Sequence, residues 1–212
     1  MGGLLDLGTW KRRDHYLWFR KYERPFFSVT VDVDVTSAWN TSRKPGAASF
    51  FLTSLFLMLN AANDVEAFRL RLRPRGVWRH DRVAAGPTIM RQDETFGFVR
   101  LEPADTLQQF AARGSAAIAE AVARRGLTPP KKAGDDIVFH SVLPWIRFTS
   151  FTNALPGRVD SIPRIVFGQC VRERGRMKMP VAVEVHHALA DGLDVARFYQ
   201  RFAANLEDVR PA

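Results

Sequence analysis

The spacing of apolar residues changes period several times along this chain, and each change marks an element. Residues 27–36 alternate as a strand should. Residues 49–60 carry apolar side chains at helical spacing; their most apolar part, 50–59, is interrupted by Thr53 and Ser54. Ten residues are too few to cross a bilayer as a helix, so a buried core helix is expected there. Residues 68–82 read as strands around Pro74-Arg75-Gly76, with Arg69, Arg71 and Arg73 on a solvent face opposite Leu70 and Leu72. An alanine-rich helix follows over 106–125. Thr128-Pro129-Pro130 should end it, and residues 131–136 read as a surface loop. Strands recur from Ile137 onward, at 165–171 and at 177–187. In the last of these, Val181, Val183 and Val185 have the two-residue period of a strand with one buried face. Val195, Phe198, Tyr199, Phe202 and Leu206 then recur at helical spacing, after a turn at Asp191-Gly192. This order predicts an α+β sandwich, helices packed on a mixed sheet, in one domain over residues 1–212.

Composition narrows the class. At 46% apolar, the 212 residues can bury a sizeable core. A single cysteine, Cys170, leaves no internal disulfide framework and no thiolate metal site, and no metal is expected. The amino terminus shows no charged segment followed by an apolar run, so a cytoplasmic protein is expected, without a membrane partner. The net charge of +9 raises the question of a polyanion, but the basic residues are dispersed and no nucleic-acid motif accompanies them. Attraction of a phosphate-rich small molecule is the milder reading, although no Gly-rich phosphate loop is present.

The chemistry concentrates in three islands. Near the carboxyl end stands His186-His187-Ala188-Leu189-Ala190-Asp191-Gly192, at the junction of a strand pattern and a helix pattern. An imidazole at such an edge can titrate near neutral pH and reach a substrate. Alone, the segment is short enough to arise around a core histidine. Trp10-Lys11-Arg12-Arg13-Asp14-His15-Tyr16 and the run from Ser141 to Phe151, which opens Ser141-Val142-Leu143-Pro144-Trp145, are two further islands of unusual composition.

Together they resemble the chloramphenicol acetyltransferase family. The family's Trp-x-Arg-x-Glu-His-Phe is similar to residues 10–16, its Gln-x-Glu-Thr-Phe to Gln92-Asp93-Glu94-Thr95-Phe96, and its Ser-x-x-Pro-Trp to residues 141–145. Its His-His-Ala-x-x-Asp-Gly falls on His186 to Gly192. The resemblance implies that family's sandwich, a homotrimer with active sites between subunits, and acetyl-CoA as cosubstrate with no bound cofactor. It implies an O-acetyltransferase acting on a hydroxyl of chloramphenicol or a similar small molecule. His187 would be the general base and Ser141 the oxyanion donor. Arg12 and Asp191 would form a structural ion pair that holds the histidine loop. Trp145 is a candidate flat surface for the coenzyme, and Phe19 a candidate substrate contact. His186, on the other face if the strand continues, is expected to be structural. A nucleophilic Ser141 would need a strained glycine-flanked turn, and the surrounding sequence has no such glycines.

Some positions depart from the family pattern. Val166 stands where a threonine helps to hold an active-site water. Ser49 stands where a lysine can approach the coenzyme phosphate, and Cys170 where a tyrosine can approach the adenine. Two other readings stay open at this point. One is a dihydrolipoamide-type acyltransferase core, which shares the histidine segment but normally carries lipoyl and peripheral-subunit segments that are not read in these residues. The other is a non-catalytic basic binding protein on the same scaffold.

Overall fold

The computed structural model describes residues 2–127, 134–157 and 159–209. In chain order the elements are β1 (Gly3–Leu4), α1 (Arg13–Phe19), β2 (Phe26–Asp34), α2 (Thr36–Thr41) and α3 (Phe50–Asp64). A 3₁₀ turn (Glu66–Arg69), β3 (Leu70–Arg73), β4 (Gly76–Arg79), β5 (Ala84–Met90), β6 (Phe96–Phe98) and α4 (Leu107–Ala123) follow. The chain ends with β7 (Ile137–Val142), β8 (Arg164–Phe167), β9 (Val171–Glu173), β10 (Arg176–His186) and α5 (Gly192–Glu207). The large sheet runs β2-β10-β8-β7-β5-β6, with β9 also paired to β10. It is mixed: β5, β7 and β8 are parallel, whereas β10 is antiparallel to both β2 and β8. β1, β4 and β3 make a separate small sheet.

This is an α+β sandwich. Leu55, Met58 and Leu59 of α3 and Phe198 and Phe202 of α5 pack with Val181, Val183 and Val185 of β10 and Val138 of β7 in one core. Helix ends are set by local chemistry. Ser49 caps α3 by accepting from the Leu52 amide, and Thr106 caps α4 by accepting from the Gln109 amide. Thr53 and Ser54 tolerate burial inside α3; the Ser54 hydroxyl bonds back to the Phe50 carbonyl at 2.7 Å.

Several expectations need correction. β10 is buried on both faces: away from the helices Glu184 accepts from Asn153, and its register partner Ser28 donates to the Phe151 carbonyl. Arg71 is not on a solvent face: it is fully buried, donating to the carbonyls of Phe68, Leu70, Asp135 and Ile137. Four carbonyl acceptors replace the water that a guanidinium would otherwise need. Phe68 lies in the 3₁₀ turn, not in a strand. Thr36 begins α2 rather than ending β2, because Asp34 Oδ1 accepts from both the amide and the hydroxyl of Thr36 and turns the chain. The strand expected over 165–171 is two, β8 and β9. Asp191-Gly192 is no free turn. Asp191 is the N-cap of α5, in a capping box with Asp194. Of the expected 131–136 loop, residues 131–133 and the preceding 128–130 lie outside the described residues; Asp135 is half-buried, paired with Arg73 and His80. No helix among the described residues is long and apolar enough to cross a membrane.

Candidate active site

His187 follows β10 directly, on the tight turn that leads into α5. Its amide donates to the Pro25 carbonyl at 2.6 Å, fixing the turn against the start of β2. The ring is held between two aromatics. Phe19, the last residue of α1, stacks on it at 3.9 Å between centroids and 7° between planes, and Phe27 of β2 leans on it at 4.8 Å. Nδ1 is 3.2 Å from the Ala190 carbonyl. A carbonyl can only accept, so the neutral ring carries its proton on Nδ1 and presents the lone pair at Nε2.

His186 does the opposite. It is 2% exposed, and its Nδ1 accepts from the Ala188 amide at 3.1 Å. An accepting Nδ1 places that proton on Nε2.

Arg12, just ahead of α1, pairs with Asp191, and its second nitrogen reaches the His187 carbonyl at 3.4 Å. Asp191 Oδ1 meanwhile accepts from the amides of Leu193 and Asp194, which begin α5. Burial works to raise the Asp191 carboxyl, but the charge and hydrogen bond of Arg12, together with those amides, outweigh it and leave the group below its ordinary value. One arginine thus ties the Trp10 island to the carbonyl of His187 and to the cap of the following helix.

Ser141 lies elsewhere. It sits on β7, on the sheet face opposite α3 and α5, beside its register partner Val166 of β8; Val166 in turn faces Ala182 of β10. Its hydroxyl is 3.1 Å from that of Thr88 on β5. Both line a cleft of about 570 Å³ whose walls include Phe96, Phe98, Phe139, Ile165 and Val166, with Asn153 at one side. That size suits a drug-sized ligand, and the lining is mainly apolar with a few convergent polar groups. Gly86 lines it too, where a Cβ would meet Ile137 at 2.4 Å.

Within one chain the structure does not bring His187 and Ser141 together. Two strand spacings across the sheet and more than four residues along β10 separate them, on the order of 15 Å or more. Trp145 is four residues beyond Ser141 and 64% exposed, outside the cleft lining. Ser49 serves as a helix cap, and Cys170 is half-buried, its thiol pushed up to about 11 by burial. Among the described residues, no group of three or more His, Cys, Asp or Glu side chains could hold a metal ion.

Sequence reasoning missed Thr88, Phe27 and the Asn153–Glu184 contact. Thr88 follows Gly86-Pro87, which masks the strand character of β5. Phe27 shows only as one of an alternating series.

The family model of chloramphenicol acetyltransferase matches residues 3–203. Chloramphenicol acetyltransferase 2 of Escherichia coli is 30% identical over 196 residues, 92% of each chain. The enzyme of the same name from Haemophilus influenzae is 28% identical over the same share. A solved chloramphenicol acetyltransferase superimposes with a TM-score of 0.86 at 26% identity, covering 97% of this chain and 100% of that one. The chain belongs to the chloramphenicol acetyltransferase family and is an acetyltransferase.

Proposed function

We propose that this protein transfers the acetyl group of acetyl-CoA to a hydroxyl of chloramphenicol or a similar small molecule, by direct attack with His187 as general base. One observation carries the reading: the Ala190 carbonyl holds the proton on Nδ1 of His187 and leaves Nε2 as the acceptor, in a ring fixed by Phe19 and Phe27. The acceptor hydroxyl gives its proton to Nε2 as its oxygen attacks the thioester carbonyl carbon. The carbonyl oxygen becomes an oxyanion, and Ser141 donates its hydroxyl to it. When the intermediate collapses, the C–S bond breaks and the departing thiolate takes the proton from the imidazolium. No acyl-enzyme forms. Cys170 is unsuited to form one, with its thiol protonated at neutral pH.

The separation of His187 from Ser141 supports a site that takes the histidine turn of one copy and the cleft of its neighbour, and the family resemblance supports a homotrimer. A heterologous interface that closes into a ring makes every such pairing equivalent. Phe19 then lies beside the acceptor, and Trp145, exposed on the single chain, is a flat surface for the coenzyme. Arg12 and Asp191 hold the histidine loop. The whole chain, residues 1–212, acts as one acetyltransferase domain in the cytoplasm, with no nucleic acid or membrane partner.

The dihydrolipoamide-type alternative is not favoured. A dihydrolipoamide acetyltransferase of Azotobacter vinelandii superimposes with a TM-score of 0.67 at 19% identity, a likeness of fold alone. A thiol-release assay with acetyl-CoA and a panel of hydroxylated acceptors, chloramphenicol first, tests the reading. Acceptor-dependent release of CoA is expected. Turnover only with dihydrolipoamide, or none with any acceptor, contradicts it.

A further inference from the structure

Ser141 has one proton to donate, and its direction must be set. A serine hydroxyl rotates freely and offers one donor and two acceptor positions. Its surroundings are asymmetric. On the β8 side its register partner is Val166, which presents only methyl groups. On the β5 side, one residue past the register pair Pro87–His140, stands Thr88, its Oγ1 3.1 Å from Ser141 Oγ. Among the described residues, this hydroxyl is the only side chain bonded to Ser141. Threonine is stiff at χ1, so the β5 backbone fixes where that oxygen sits.

Resting on the reading that Ser141 stabilises the oxyanion, we propose that Thr88 is a positioning residue for acetyl transfer. Its hydroxyl donates to Ser141 Oγ and keeps the Ser141 proton turned into the cleft. A hydroxyl pair can order in either sense, but only one serves the reaction. If Ser141 donates to Thr88, its proton is unavailable when the oxyanion appears. If Thr88 donates, Ser141 has an occupied lone pair and a free proton, and the two hydrogen bonds polarise each other as charge develops. Val166, with no polar side-chain atom, can take no part in this task.

The test is a double-mutant cycle on the full-length protein, with Thr88→Val, Thr88→Ser, Ser141→Ala and the Thr88→Val/Ser141→Ala double, read by steady-state kinetics and thermal unfolding. Thr88→Val keeps the shape and removes the hydroxyl. It should lower kcat roughly tenfold with both Michaelis constants within about twofold, as for an interaction realised in the transition state. Thr88→Ser should recover most of the rate. In the Ser141→Ala background, Thr88→Val should cost nothing further. An unchanged kcat in Thr88→Val, an equal loss with Ser141 absent, or a Thr88→Ser as slow as Thr88→Val overturns the proposal. A loss confined to the acceptor's Michaelis constant overturns it as well and makes Thr88 a binding contact. If the wild type shows no acetyl transfer, the proposed function fails; non-additive thermal stabilities across the cycle would still report the hydroxyl pair, and additive ones would overturn it.

Discussion

The histidine turn and the strand that carries Ser141 are built in different ways, although the proposed reaction uses both. His187 is held from every side: a carbonyl fixes its tautomer, two aromatic rings fix its plane, and Arg12 ties its backbone to the cap of α5. Ser141 has, among the described residues, one bonded side chain, the hydroxyl of Thr88. In the proposed reaction a base must present a single lone pair in a set direction, whereas an oxyanion donor must leave room for a carbonyl and an acceptor. Contacts are concentrated around His187, where the proposed mechanism places proton transfer.

The two adjacent histidines give the sharpest way to break this comparison. His187→Ala should lower turnover by about 10²–10⁴, the usual worth of a general base, with thermal stability close to wild type. His186→Ala should do the reverse, losing stability through the buried amide of Ala188 that its ring satisfies. Kinetics and thermal unfolding of the two variants check both; exchanged outcomes would reverse the assignment. Ser141→Ala should cost roughly a hundredfold in kcat with little change in either Michaelis constant. A burst of CoA release equal to enzyme concentration, without acceptor, would point instead to a covalent intermediate.

A smaller effect sharpens the account of how the turn is held. Arg12→Ala and Asp191→Ala should each lower thermal stability and activity, and the double variant should lose much less than the sum, because either single change removes the same contact. Arg12→Lys should not restore the wild type, since an ammonium cannot bond both the Asp191 carboxylate and the His187 carbonyl with a planar fork. Additive losses would deny the contact.

The smallest effect concerns His140, which precedes Ser141 but points to the helix side of the sheet, against Phe167. Burial drives it from 6.5 down to about 3, against the weak pull of the Ile165 carbonyl on Nδ1. With the folded value depressed, the unfolded chain takes up the proton first. Stability present above about pH 6.5 is then lost progressively as pH falls toward 3. Denaturant titrations should show His140→Leu flattening that dependence by about one proton; an unchanged slope would place the charge elsewhere.

Local pattern made much of this visible. The core helix at 50–64, the alanine-rich α4 and the final helix follow from apolar spacing, and the histidine island is contiguous, so His187 and Asp191 stand out together. The failures share one cause, which is that neighbours distant in sequence decided the outcome. Arg71 alternates with leucines as a surface arginine would, but carbonyls from Asp135 and Ile137 close over it. Val181, Val183 and Val185 show one buried face; on the other, Glu184 is met by Asn153, from another part of the chain. Thr88 meets Ser141 only because β5 lies next to β7 in the sheet. The polar partner of Ser141 follows from strand order, which periodicity does not contain.

The central claim is that one site draws His187 from one copy and Ser141 from the next. It is tested most directly by mixing two inactive variants, His187→Ala and Ser141→Ala, through denaturation and joint refolding or by co-expression. With sites between copies, random assembly pairs an intact histidine turn with an intact cleft in about a quarter of the sites, so activity should return to about a quarter of wild type. A mixture no more active than its two components would contradict the claim, because a site held within one chain gains nothing from its neighbours.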